Sequence, residues 1–178
     1  MADKDEYIKV LDFLRRGRPG EKDEPVAQGI GTENFNLLEV VMRDDQEPKG
    51  GEELYIGEGE RDKVKYIKGR LSYDGLTGNA KAELKYVLQA LVKEKEDDFV
   101  DFFNNATPVT PRRHAFELLP GVGSKHMQKL LDEREQGDFK SFDDIRERVS
   151  SLPDPEKLIV DRIQQELKGD AKKKLFIS

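Results

Sequence analysis

A glycine-rich turn between two apolar segments, within residues 116–131, constrains this 178-residue chain more than any other feature. Gly121 can adopt the positive φ of a very tight turn, and Val122 is the apolar residue expected to pin that turn to a core. Gly123 is expected at the start of the following helix, where no Cβ would stand before the free N–H groups. A helix start carries unsatisfied donors and about half a positive charge, which favours phosphate. The pattern therefore predicts a helix-hairpin-helix that grips a nucleic-acid backbone.

Polar and basic residues on both sides of the turn extend this candidate site. Ser124 and Lys125 are expected in the first turn of the second helix, and Lys129 follows one turn later. Arg112 and Arg113 are expected to open the helix that precedes the turn. Two other interpretations stay open, namely a helical hairpin whose glycines only make the turn and a hairpin that docks another protein.

The charge of the chain limits how such a site can work. The net charge is −6, whereas a protein that coats nucleic acid non-specifically is usually basic. Residues 1–105 carry 17 basic and 24 acidic side chains, and residues 106–178 carry 14 and 13. The carboxy-terminal part is therefore the less repulsive surface for a polyanion. We expect a few local phosphate contacts there instead of a broad positive field.

The composition argues against metal sites and catalysis. The chain has no cysteine and two histidines, so disulfides and thiolate metal sites are excluded. No histidine pair, carboxylate cluster or nucleophile–base motif stands out, so we expect no metal, no cofactor and no enzymatic activity. No apolar run reaches membrane-spanning length, and the first residues do not resemble a signal peptide. We therefore expect a cytoplasmic protein.

The first 76 residues have the pattern of short strands separated by turn clusters. The β-prone runs lie at residues 7–14, 26–30, 35–43, 54–56 and 63–72. Five short strands in so short a stretch predict a small barrel, and an OB-like barrel is the obvious candidate.

The last of these strands is the candidate binding face of the barrel. Lys63 and Lys65 alternate with apolar residues and precede Tyr66, a pattern that offers charge and one aromatic ring to a single strand. Arg61 lies just before, in a Gly-Glu-Gly-Glu-Arg-Asp turn. The alternative is a half-exposed strand with a polar outer face, preceded by glycines that only tighten a hairpin.

From Thr77 onward the apolar period changes to that of helices. Thr77 is predicted to be an N-cap, and two helices are expected before residue 106. Residues 107–111 then form a proline-rich break, with Thr110 as the next N-cap and Pro111 at the first helical position.

The carboxy-terminal part is predicted to hold a second helical hairpin. Ser141 and Asp154 are expected to cap its two helices. This second turn has proline and aspartate where the first has glycine, so it offers no phosphate site. The predicted organisation is α+β, with the following parts: an OB-like barrel (1–76), connecting helices (77–106), an all-α, SAM-like tandem helix-hairpin-helix domain (107–170) and a basic tail (171–178). Within this tail the lysines 172–174 are expected to be mobile.

Five segments carry a family resemblance: Asn34–Val40, Tyr55–Val64, Ala80–Leu84, Glu117–Gly123 and Lys140–Ile145. Through them, residues 7–169 resemble an uncharacterised archaeal family whose members join an OB-like barrel to a tandem helix-hairpin-helix domain and are inferred to bind nucleotides or RNA. The run Tyr55–Asp62 within the second segment is the most distinctive. The resemblance implies fold and broad class, favours RNA over DNA, and suggests ribosomal or transcription components as partners.

We therefore expect a non-enzymatic, two-domain protein that binds nucleic acid, preferably RNA, and does not associate with membranes. The main alternative is a protein-interaction adaptor that uses its helical hairpins as a docking surface. An exposed apolar patch on the hairpins would favour that alternative. The sequence leaves the oligomeric state open.

Overall fold

A computed structural model describes residues 4–177 of the chain. This part contains seven strands and five α-helices. The strands are β1 (Tyr7–Leu14), β2 (Val26–Gly31), β3 (Leu37–Met42), β4 (Glu53–Tyr55), β5 (Val64–Arg70), β6 (Pro108–Thr110) and β7 (Arg113–His114). The helices are α1 (Gly78–Glu94), α2 (Glu96–Asn105), α3 (Ser124–Glu135), α4 (Phe142–Arg148) and α5 (Pro155–Lys168).

The first five strands form one antiparallel sheet in the order β4-β1-β2-β3-β5. Its inner face buries aliphatic side chains from every strand, among them Ile8, Val10, Val40, Leu54 and Val64. The sheet is curled into a half-barrel, and the five strands expected from the sequence are confirmed. Within residues 4–177 no ladder joins the edge strands β4 and β5 to each other.

Helix α1 begins as the sequence predicts. The Thr77 hydroxyl accepts a hydrogen bond from the Ala80 N–H at 3.0 Å, which satisfies one of the free donors of the first turn. Leu84, Leu88 and Leu91 form the buried stripe of this helix. The mixed α+β composition is therefore confirmed, with the change of apolar period at the expected residue.

The prediction that a helix begins at Pro111 is wrong. Residues 108–114 form the small hairpin of β6 and β7, and only a four-residue 3-10 helix, Ala115–Leu118, precedes the glycine turn. The His114 Nδ1 accepts the Phe116 N–H at 3.0 Å, while the Glu117 carboxylate accepts the His114 N–H at 3.0 Å. This capping box starts a helical turn at His114, three residues later than Pro111.

The two later caps are confirmed. The Ser141 hydroxyl accepts the Asp144 N–H at 2.9 Å at the start of α4. The Asp154 carboxylate accepts the Glu156 N–H at 3.2 Å at the start of α5, with Pro155 at the first helical position. None of the helices within residues 4–177 is both long and apolar enough to cross a membrane.

The described chain divides into two compact units. The sheet unit contains the residues up to Val87 together with those from Glu166 onward, and the helical unit contains Leu88–Gln165. The two divisions lie inside α1 and α5, whereas the proline-rich break at residues 107–111 lies within the helical unit.

The last described residues are held by a buried carboxylate. Glu166 is 5% exposed and accepts the N–H groups of Leu175, Phe176 and Ile177 at 2.8, 3.0 and 3.1 Å. Charge-assisted hydrogen bonds therefore fix the backbone of residues 175–177, directly after the lysines 172–174 that are expected to be mobile.

Candidate functional site

The glycine turn has the backbone geometry that its sequence predicts. Gly121 has a φ of +95°, a conformation that side-chain-bearing residues rarely adopt. A Cβ at this position would meet Pro153 and Leu158 only at 3.7 and 3.8 Å, which is ordinary contact. Glycine is therefore required at residue 121 by the backbone conformation and not by crowding.

Gly123 has a different role from Gly121. It is the N-cap of α3, with an extended backbone (φ −98°, ψ −174°) that any residue can adopt. No heavy atom lies within 4 Å of the position that a Cβ would occupy. Gly123 therefore leaves open space in front of the helix start, which is the access that a phosphate group needs.

The first N–H groups of α3 point to no acceptor. Those of Gly123, Ser124 and Lys125 make no hydrogen bond to any residue within 4–177, whereas the Val122 N–H donates to the Leu119 carbonyl at 3.1 Å. The Val122 side chain is 7% exposed and pins the turn to the core of the helical unit. The turn thus presents a set of free donors on a fixed backbone.

The lysines near this turn differ in whether they form an ion pair. The Lys125 ammonium is exposed and makes no ion pair with a described residue. Lys129 lies one turn further on and pairs with Glu133 at 3.5 Å. Ser124 is exposed beside them. The cation that is most available to an anion at the helix start is therefore Lys125.

The arginines expected in the first hairpin helix lie elsewhere. Arg112 and Arg113 are exposed at the β6–β7 turn, and Arg113 donates to the Glu117 carbonyl at 3.4 Å. His114, which follows them, is 7% exposed and is engaged in the capping box. Its imidazole therefore cannot serve as a surface phosphate contact.

The second helical turn carries carboxylates at the start of α5. At the start of α5 the Asp154 carboxylate already accepts the Glu156 N–H of the first turn. The Arg146 guanidinium pairs with Asp143, Asp154 and Glu156, and these carboxylates raise the pKa of Arg146 above its ordinary value. A phosphate at this turn would have to displace a carboxylate that the chain itself supplies.

The four barrel residues of the sequence prediction lie in the sheet unit. The Tyr66 hydroxyl donates to the Glu24 carboxylate at 3.0 Å, which raises the pKa of Tyr66. The Lys63 ammonium pairs with Glu52 at 3.3 Å, and Lys65 is exposed on β5. Tyr66 remains 38% exposed, so its ring is accessible although its hydroxyl is occupied.

The distinctive Tyr-Ile-Gly-Glu-Gly-Glu-Arg-Asp segment forms a loop held by its own side chains. The Tyr55 hydroxyl accepts the Gly59 N–H at 3.0 Å, and a Cβ on Gly57 would overlap that hydroxyl. The Arg61 Nε donates to the Gly57 carbonyl at 2.8 Å, while Arg43 donates to the Arg61 carbonyl at 2.8 and 3.2 Å. The glycines are needed because the Tyr55 ring packs directly on them.

This loop borders a cleft that sequence reasoning missed. The cleft has a volume of about 440 Å³ and is lined by residues of both edge strands, β4 and β5. We call it the seam cleft; its apolar residues are Leu38, Tyr55, Ile56 and Ile67, and its cations are Lys4, Arg61 and Arg70. The only sequence signal was the segment Tyr55–Val64, which pointed to its loop but not to a cavity.

Similar proteins occur in two archaea. A family model described as "Protein of unknown function (DUF655)" matches residues 4–178. The uncharacterized protein MJ0038 of Methanocaldococcus jannaschii is 42% identical over 171 residues, which cover 96% of this chain and 78% of that protein. The crystal structure of Af1531 from Archaeoglobus fulgidus, which is described with the DUF655 family model, matches with a TM-score of 0.92 and 47% identity. The match covers 98% of this chain and 100% of that chain.

Proposed function

Since the chain belongs to the DUF655 family of uncharacterised archaeal proteins, we propose from its own geometry that it is a non-enzymatic nucleic-acid-binding protein. The glycine turn of Gly121, Val122 and Gly123 grips the phosphate backbone, as in a helix-hairpin-helix, and Ser124 and Lys125 complete the contact. RNA is preferred over DNA, in line with the family resemblance that the sequence motifs carry.

The observation that supports this proposal is the open start of α3. Free N–H donors, a nearby exposed lysine and unobstructed space at Gly123 coincide there. Oriented donors of this kind, together with the helix dipole, stabilise a bound phosphate. At the start of α5, in contrast, the Asp154 carboxylate already accepts the Glu156 N–H. The contrast supports a role for the first turn that goes beyond connecting two helices.

In the proposed complex the sheet unit adds weaker contacts to the same polymer. Lys65 and the accessible ring of Tyr66 offer charge and a stacking surface to a single strand. Arg61 and Lys63 already bind the Gly57 carbonyl and Glu52, so they contribute less to binding of the polymer.

The exposed apolar residues do not favour the adaptor alternative. Within the part of the chain that the structure describes, the large exposed apolar side chains are Tyr7, Tyr66, Ile67 and Tyr86, all of them before the helical hairpins. Surfaces that dock proteins usually carry a contiguous apolar patch. The described hairpins offer no large exposed apolar side chain for that purpose.

Gly123→Val tests the proposed contact directly. The extended backbone of Gly123 accepts valine, so the substitution blocks the approach of phosphate without forcing the turn. We expect the affinity for single-stranded RNA, measured by filter binding, to fall about ten-fold or more, roughly 1.4 kcal/mol. Because valine is a poorer N-cap than glycine, circular dichroism melting must show that the variant is folded at the assay temperature.

Gly78→Val is the matched control for this experiment. Gly78 is also an exposed glycine at a helix start, and no heavy atom lies within 4 Å of its Cβ position. We expect this variant to bind RNA like the wild type. A folded Gly123→Val protein with undiminished affinity would show that the glycine turn is not the backbone contact.

A further inference from the structure

We propose that the seam cleft binds one nucleotide, with the base against its apolar floor and the phosphate near Arg61 and Arg70. The choice of a nucleotide among amphipathic anions rests on the proposed function. The evidence for the cleft comes from residues of the sheet unit, none of which belongs to the glycine turn.

The floor of the cleft is suited to a flat apolar group. Leu38 and Ile56 belong to the core of the half-barrel and reach the cleft where the edge strands stay unpaired. Ile67 is 37% exposed on β5, and the Tyr55 ring adds an aromatic wall. A volume of about 440 Å³ falls within the range of small-ligand sites, roughly 300–1,000 Å³.

The cations of the cleft have unused donors. The side chains of Lys4 and Arg70 make no hydrogen bond or ion pair with any residue within 4–177. Arg61 uses its Nε for the Gly57 carbonyl, and its two Nη atoms have no partner in the same range. A guanidinium presents its remaining N–H groups in a fixed fork that matches phosphate oxygens.

The acidic residues of the cleft limit how much anion it can hold. Asp5 is 6% exposed, and its carboxylate is occupied by the N–H groups of Glu33 and Asn34 at 2.8 and 2.7 Å and by the Asn36 side chain at 2.8 Å. Glu6 and Glu58 are exposed and line the cleft as well. Three carboxylates thus balance the three cations of the lining, and a lining without net charge suits a single phosphate beside an uncharged base better than a polyphosphate.

Both walls of the cleft are held in place without a ligand. On one side, Tyr55 and Arg61 fix the loop around Gly57 and Gly59. On the other side, Asp5 fixes the backbone of residues 33–36. A site that is already ordered loses less conformational entropy on binding. This gives the distinctive loop segment a role in shaping a pocket.

The experiment titrates the intact protein with AMP, GMP, CMP and UMP and follows binding by calorimetry or NMR. Arg70→Gln removes an unpartnered cation, and Ile67→Ser removes apolar floor. Each should weaken binding of the preferred mononucleotide by about five-fold, roughly 1 kcal/mol. Glu58→Gln removes a like charge and should strengthen binding. Lys85→Gln, which removes an exposed cation of the sheet unit outside the cleft, should leave the affinity unchanged.

A short single-stranded RNA distinguishes the two sources of the nucleotide. If Ile67→Ser and Arg70→Gln also weaken binding of the strand, the cleft holds one unit of a polymer. If only mononucleotide binding weakens, the cleft serves a free nucleotide. The proposal is overturned if no mononucleotide binds at about 10 mM, or if the variants and the control bind alike. The Gly123→Val result on RNA strands is unaffected by that failure, so the two proposals fail separately.

Discussion

His114 illustrates at the scale of one residue how burial sets a side chain's chemistry. Its ring lies 4.7 Å from the Phe116 ring, and its Nδ1 is occupied by the Phe116 N–H. Burial, reinforced by the charge of Arg134, lowers the pKa of His114 below its ordinary value of about 6.5. The folded protein therefore holds this imidazole neutral at a pH where the unfolded chain takes up a proton.

This shift predicts an acid-dependent loss of stability. Between the lowered pKa and about pH 6.5 the unfolded state binds more protons, so the free energy of unfolding rises with pH across that window. We expect the protein to be less stable in urea at pH 5 than at pH 7.5. His114→Asn keeps an acceptor for the Phe116 N–H but loses the buried imidazole ring, so it should be less stable than the wild type at both pH values. Because asparagine does not titrate, the difference in stability between the two pH values should be smaller.

Urea unfolding of both proteins at the two pH values is the measurement. The two proteins differ only at residue 114, so the comparison isolates His114. An equal pH difference in the wild type and in His114→Asn would show that His114 does not carry this dependence.

The glycines show which residue roles can be predicted from sequence. The positive φ of Gly121 was predictable, because a Gly-x-Gly turn before an apolar helix demands it locally. The role of Gly57 and Gly59 was not, because it depends on the Tyr55 ring that folds back over them. The same applies to Asp5, whose carboxylate organises residues 28 and more positions away in sequence.

At the scale of elements, the start of α3 should determine how binding depends on salt. Phosphate contacts to a single strand lower the logarithm of the binding constant by about 0.7 per decade of salt for each neutralised phosphate. With Lys125, Lys129 and one or two barrel residues in contact, we expect a slope of about −2 to −4. Lys125→Ala removes one of these contacts, so the magnitude of the slope should fall by about 0.7.

Lys85→Ala on α1 is the control for this salt series, since it removes an exposed lysine away from the turn. Its slope should equal that of the wild type. A wild-type slope near zero would contradict phosphate binding and would favour the adaptor alternative.

The hairpin of β6 and β7 shows why one element was mispredicted. Thr110-Pro111 has the sequence of a helix start, but the Thr110 hydroxyl accepts the Arg112 N–H at 3.3 Å within a tight turn. Local signals of this kind serve turns and helix caps alike. The five strands of the sheet unit and the caps of α4 and α5 followed patterns without such a competitor, so they were predictable. The predicted helix after the glycine turn is present as α3, whereas a four-residue 3-10 helix stands in place of the predicted helix before it. The helix-hairpin-helix assignment stays a prediction.

At the scale of the whole molecule, the helical unit depends on α2. The Asn104 side chain donates to the Phe139 carbonyl at 2.9 Å and accepts the Phe139 N–H at 2.7 Å. The Phe103 and Phe116 rings stack at 5.8 Å. These contacts join residues on both sides of the proline-rich break, so α2 packs as part of the helical unit. A sequence pattern could not show this, because the contacts span more than ten residues each.

The final prediction concerns a protein cut at that break. A protease site inserted between Pro111 and Arg112, both exposed, should be cleaved readily. The two pieces should then elute together from a sizing column in native buffer and separate only in denaturant, because buried aromatic contacts and the Asn104 hydrogen bonds hold them. Asn104→Ala should lower the denaturant concentration at which they part, whereas the control Asn105→Ala, on the exposed side of α2, should not. Pieces that separate in native buffer would instead establish residue 107 as the start of an independent domain.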